Sequence, residues 1–168
     1  MESRAKLFGH PIHQMLVVFP LGLLATAAIF DVIHMVTDDS GWAIASFYLL
    51  GAGVIGGLLA AVFGLIDFVA IPKRTRARRV GVIHGVGNVV VVGLFFMSFY
   101  MRLGTSAYPP RMAMGLAIFA ALLSLVTGWL GGELVDRLAV GIDDGAHLNA
   151  PSSLKGPVRR EDERMAAD

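Results

Sequence analysis

Residues 41–67 read GWAIASFYLLGAGVIGGLLAAVFGLID, and no charge interrupts the run until Asp67 closes it. A helix needs ~20 mostly apolar residues to cross the hydrocarbon core of a bilayer, so this stretch is long enough to do so alone. Three others flank it, at residues 14–36, 80–101 and 112–132, separated by the turn-rich segments TDDSG, IPKRTRARR and LGTSAYPP. The first carries Asp31 and His34 near its far end, the third contains His84 and Asn88, and the fourth ends at Glu133. The expected fold is therefore all-α, a bundle of four transmembrane helices within residues 1–148. Residues 149–168, polar and rich in proline and charge, are expected to form a disordered cytoplasmic tail.

Composition points the same way. Hydrophobic residues make up 55% of the 168 and charged residues 16%, and the mean hydropathy is +0.67. Soluble domains rarely have such a balance. The chain has no cysteine, which excludes disulfides, thiolate metal sites and cysteine nucleophiles. Its basic residues cluster where a membrane protein would place them, so no nucleic-acid partner is expected. There is no Ser-His-Asp arrangement, Walker loop or dinucleotide fingerprint, and no catalytic residue can be named.

Lysine and arginine set the orientation, because loops rich in them stay in the cytoplasm. Lys73, Arg74, Arg76, Arg78 and Arg79 crowd the second connection. With four spans, both termini then lie on the same cytoplasmic side, together with Arg4, Lys6, Arg137, Lys155, Arg159, Arg160 and Arg164. Only Arg102 and Arg111 fall outside. A cleavable signal peptide ending near ATA at 25–27 would be the rival reading of the first span. The polar GHPIHQ that breaks its charge-to-apolar transition, and the apolar run beyond the cleavage point, favour a retained helix.

Ionisable groups in a span face the bundle interior or an aqueous cavity, and helical spacing shows which face that is. On the first span, positions 10, 13, 17, 20, 24, 27, 31 and 34 form one stripe holding every ionisable residue of the segment. Pro11 and Pro20 can unwind it, so His10 could belong to a pre-helical turn. The second span has a small-residue contact stripe, Gly53, Gly57, Ala60 and Gly64, continued by Asp67. On the third, Gly81, His84, Asn88, Val91, Phe95, Ser98 and Arg102 align. On the fourth, Ser124 and Gly128 mark the contact face, with Glu133 off its line. His10, His13, Asp67, His84 and Glu133 thus gather at the cytoplasmic end, with Asn88 a turn deeper. Asp31 and His34 are left at the other end, expected to pair with each other.

Such a cluster has three readings. His10, His13, Asp67, His84 and Glu133 could ligate a divalent ion, zinc, iron or manganese. His10 or His13 with His84 could be axial ligands of a haem b between the first and third spans, with Asn88 beside it and Gly81 and Gly85 giving room. Or His–Asp and His–Glu hydrogen bonds could lock the helix ends without any cofactor.

The segments GHPIHQMLVVFPLGLL, GLIDFVAIP, the His84–Asn88 pair and GWLGGELV resemble, in this order, the bacterial membrane-protein family catalogued as domain of unknown function 2231. The resemblance spans residues 9–142. It implies a compact four-helix integral protein of the inner (plasma) membrane and supplies no established activity. Some relatives resemble fusions to Rieske-type iron–sulfur domains, which implies electron transfer by association alone. Two imidazoles of the family pattern are missing here: Val18 stands in place of one, and residues 136–140 read DRLAV where YRHGV would be expected.

The leading expectation is a haem- or metal-binding module associated with electron transfer, its partners being the lipid bilayer, a membrane redox complex or iron–sulfur protein, and further copies of itself. The alternative is a non-catalytic scaffold or accessory subunit packing its small-residue stripes against a larger complex. A transporter fits poorly, having neither an inverted repeat nor a mid-bilayer charge to bind substrate. Because the chain lacks cysteine, each introduced thiol is unique. In intact cells a membrane-impermeant maleimide should label Thr105→Cys and spare Ser152→Cys until the cells are lysed; the reverse pattern would invert the topology.

Overall fold

A computed structural model describes residues 1–156; the remainder of the expected polar tail, 157–168, lies outside the described residues. The chain begins with a two-residue hairpin, β1 (Lys6–Leu7) and β2 (His10–Pro11). A short helix α1 (Ile12–Leu16) follows, then α2 (Val18–Thr37), α3 (Ser40–Ala70), α4 (Arg76–Tyr100) and α5 (Arg111–Gly132). A wide π-turn, Glu133–Arg137, extends α5. Four segments, Ile12–Thr37, Ser40–Ala70, Arg76–Tyr100 and Arg111–Arg137, are long and apolar enough to cross a membrane. His10 does lie ahead of the helix, on strand β2 and not in a simple turn, and the first span is broken at Val17, three residues before Pro20.

Local chemistry sets the helix ends. Asp38 takes a left-handed conformation (φ 56°), and its N–H donates to His34 O, which stops α2. Asp39 then caps α3, its Oδ1 accepting from Gly41 N at 2.8 Å, so TDDSG reverses the chain in two residues. Thr75 caps α4 in the same way. Arg78 lies 3.8 Å over the Phe68 ring and donates to Phe68 O, which secures the basic loop to the end of α3.

The core is Leu24, Ala27, Leu50, Val54, Val91, Phe95, Ala117 and Ala120, drawn from all four long helices. The outward faces carry large exposed apolar residues, among them Val36, Leu65, Val89 and Leu125. A surface like this is untenable in water and natural against lipid chains. The structure is that of an integral, multi-pass membrane protein. The closest packing is within two hairpins, α2 with α3 and α4 with α5. Small residues permit it: a Cβ on Gly53 would stand 2.6 Å from the Leu24 side chain, and one on Gly87 2.7 Å from Thr127. The stripes on α2 and α4 are the buried faces, as expected. On α5 the buried line is Ala113, Ala117, Ala120 and Thr127, while Gly128 faces outward with nothing near it. Of the two residues expected on the contact face, Ser124 falls on this line and is half-buried, and Gly128 does not.

At the end remote from the termini Asp31 pairs with Arg102, not with His34. Arg102 Nη1 and Nη2 donate to the two Asp31 oxygens at 2.7 and 2.6 Å, and both residues are fully buried. The same nitrogens reach Ser46 Oγ and Ser98 Oγ at 3.0 Å, and those hydroxyls donate to Ala27 O and Ala113 O. One guanidinium thereby joins α2, α3, α4 and α5. Its Nε has no partner among the described residues.

At the opposite end the segment before the hairpin folds across the bundle. Lys6 Nζ donates to Glu2 at 2.8 Å and also pairs with Asp143, while Asp144 N donates to Glu2. Burial works against the charged form of Lys6, but the bonds to Asp143 and Glu2 outweigh it and raise its pKa above 10.5. The Lys6 bond, with help from Asp144 N–H, holds the Glu2 carboxyl below 4.5.

Truncating one member of the buried pair strands the other's charge, a loss of about 3–5 kcal/mol. Arg102→Ala and Asp31→Ala should therefore each lower the thermal unfolding midpoint in detergent markedly, and the double variant Asp31→Leu/Arg102→Met should unfold later than either. The Glu2 contribution is complete above its unfolded pKa and is lost as pH falls through the lower folded value. That of Lys6 is complete below pH 10.5 and is lost as pH rises through the folded one. A spin label at Leu7→Cys should accordingly stay immobile at neutral pH and loosen below the usual carboxylate range or above 10.5.

Candidate functional site

His13 projects from α1 onto α3. Its ring rests against Gly64, where a Cβ would stand 2.8 Å away, and its Nδ1 lies 2.8 Å from Ala60 O. His84 projects from α4 onto α5, against Gly131, with Nδ1 2.9 Å from Thr127 O. The two arrangements are equivalent. In each hairpin an imidazole on the first arm donates to a carbonyl of the second, beside a glycine four residues further on. A helix carbonyl has a second lone pair for such a donor, and only a residue without Cβ lets the ring come so close.

A carbonyl oxygen only accepts, so in each neutral ring Nδ1 carries the proton and Nε2 keeps a lone pair. Asn88 Nδ2 donates to His84 O at 2.9 Å and stands 3.4 and 3.2 Å from the two ring nitrogens. Being nearly equidistant from both, it lies over the ring and not on the in-plane lone pair. Asn88 Oδ1 accepts from Thr127 Oγ1 at 3.1 Å, so Asn88 and Thr127 together fix the His84 ring.

The other expected site residues go elsewhere. His10 is exposed on β2, its Nε2 3.3 Å from Ser153 Oγ. Asp67 accepts from Ser3 Oγ, 2.8 Å from each carboxylate oxygen, and from Arg4 N at 2.8 Å. Glu133 pairs with Arg76. Among the described residues no group of three or more histidines and carboxylates is placed to hold a metal ion. The five-residue ligand set His10, His13, Asp67, His84 and Glu133 does not assemble. Nor do the expected His–Asp and His–Glu locks: the imidazoles bond backbone carbonyls, and the carboxylates bond Ser3, Arg4 and Arg76.

Sequence reasoning missed Ser3, Ala60, Thr127 and Gly131 as partners. The spacing of Ala60 to Gly64 and of Thr127 to Gly131 was the available signal, since each places a small residue one turn past an acceptor on a buried face.

No curated protein and no solved structure matches the chain. A protein-family model does match, over residues 9–144, which takes in all four spans, both imidazoles and the glycines that seat them. The chain belongs to the family described as Predicted membrane protein (DUF2231).

Proposed function

We propose that this membrane protein is a cofactor-binding module in which His13 and His84 are the axial ligands of a haem b held between its two hairpins. It works in or beside an electron-transfer chain of the bacterial inner membrane, with its termini in the cytoplasm. The observation that carries this reading is the matched pair of Nδ1–H to carbonyl bonds. A ligating histidine characteristically donates its other ring N–H to a carbonyl or carboxylate, which fixes the tautomer, aims the free nitrogen and raises its basicity. Both imidazoles have that arrangement, and they come from different hairpins.

Bound there, haem would supply one-electron chemistry, while the apolar bundle and the carbonyls that accept from each Nδ1–H would set its potential. An ion site of the zinc type is less well served. Two imidazoles fall short of the three or four protein ligands such sites use, and the nearby carboxylates are already engaged. A membrane redox complex or an iron–sulfur protein would be the electron partner, and a homo-oligomer is compatible with the exposed apolar faces. The accessory-subunit reading draws on the same two bonds, since each ring already ties one helix to its neighbour.

Haem b added to the purified protein should give the low-spin spectrum of bis-imidazole ligation. His13→Ala and His84→Ala should each abolish it, and His10→Ala should leave it intact. Absence of haem retention, or an unchanged spectrum in both variants, would leave the accessory role as the better account.

A further inference from the structure

At the end of the bundle remote from the termini, a cleft of about 300 Å³ opens between the last turn of α2 and the start of α5. Its lining includes His34, Met35 and Asp38 from α2 and its cap, Tyr108 from the connection, and Arg111 and Met114 from α5. His34, Met35 and Met114, drawn from two helices, therefore line one small space.

His34 is only 6% exposed, and its Nδ1 lies 2.9 Å from Asp39 O. As in the other two imidazoles, the proton sits on Nδ1 and the Nε2 lone pair is left over. The left-handed cap at Asp38, whose N–H bonds His34 O, pins the backbone on which this ring is carried. Met114 is 4% exposed, so its thioether is almost wholly withdrawn from the surroundings. Met35 is 57% exposed, and its three rotatable bonds let the sulfur turn inward. The Tyr108 ring, with its centroid 6.4 Å from that of His34, walls one side.

The donor set selects its ion. The only carboxylate in the lining, Asp38, is exposed, and Arg111 lines the same cleft. Magnesium, calcium and manganese prefer oxygen ligands, whereas thioethers are soft and favour monovalent copper. We propose that this cleft is a Cu(I) site with His34 Nε2 and the sulfur atoms of Met35 and Met114 as ligands. The site is independent of the imidazole pair at the other end and stands or falls separately from the haem reading.

The test uses the full chain in detergent, free of haem, under reducing and anaerobic conditions, with Cu(I) partitioned against a chromophoric Cu(I) chelator. One copper per chain should be withdrawn from the chelator. Met114→Leu, Met35→Leu and His34→Gln should each weaken retention by roughly tenfold or more, at least the cost of losing a group that hydrogen-bonds a ligand. Methionine to leucine nearly conserves volume, so loss in those two variants with an unchanged unfolding midpoint reports ligation and not misfolding. Met97→Leu, on an exposed face of α4, should have no effect. X-ray absorption at the copper edge should show two sulfur scatterers and one nitrogen. Failure to draw Cu(I) from the chelator, equal retention by all the variants, or Zn(II) held as tightly as Cu(I) would overturn the assignment.

Discussion

A guanidinium and a carboxylate with no accessible surface govern how the four spans can be arranged. Asp31 and Ser46 each lie six residues inside a helix end, about 9 Å along its axis, where neither water nor headgroups can solvate them. Removing two charges from water costs several kcal/mol apiece, and only good geometry with further hydrogen bonds offsets it. Arg102 has both, through two parallel bonds to one carboxylate and one to each serine. The serines then donate to carbonyls of α2 and α5. No rotation of any one helix can preserve this set. Apolar side chains attract one another no more than lipid tails attract them, so specificity in a membrane has to come from such polar contacts and from close packing.

The helices and their inner faces were readable from the sequence because a bilayer leaves little choice. Backbone groups must bond within the helix, and polar side chains must turn from lipid. Hence the stripe through Leu24, Ala27, Asp31 and His34, and that through Val91, Phe95, Ser98 and Arg102, are the buried lines of α2 and α4. Ser46 also lay on an extension of the Gly53–Gly57 stripe. Partners were a different matter. Periodicity locates a side chain on its own helix and is silent about the helix opposite. Asp31 looked paired with His34 because the two are neighbours in sequence, and Arg102, although aligned with the inner face of the third span, had no partner assigned to it. On α5, Gly128 drew attention as a small residue, yet alanines held the contact face. The carboxylates Asp67 and Glu133 lie at the expected end but bond to Ser3, Arg4 and Arg76.

The two hairpins repeat one local device. A histidine on the first arm bonds a carbonyl on the second, and a glycine one turn later makes room for it. At the other end the repetition continues more loosely: Ser46 on α3 bonds Ala27 O of α2, and Ser98 on α4 bonds Ala113 O of α5. In each hairpin, then, one end is fastened by an imidazole and the other by a hydroxyl. Equivalent placement of His13 and His84 is what lets two ring nitrogens from separate hairpins be considered as a pair. The third imidazole, His34, shares their tautomer and stands apart from them among methionines.

The spans are unequal in length. With 31 residues, α3 rises about 46 Å, against ~30 Å of hydrocarbon, while α5 has 22 residues. The surplus must be absorbed by leaning, by projecting ends or by a locally thicker bilayer. Asp67, 27 residues beyond Ser40, lies some 40 Å along that axis, farther than the hydrocarbon is thick, so a projecting end of α3 would place it among the headgroups. There its charge can be met by Ser3 and a backbone amide without a counter-ion. The long helix is thus a ruler: its excess length would put one acid in the polar zone, whereas Asp31, on a shorter span, must take an arginine with it into the dark.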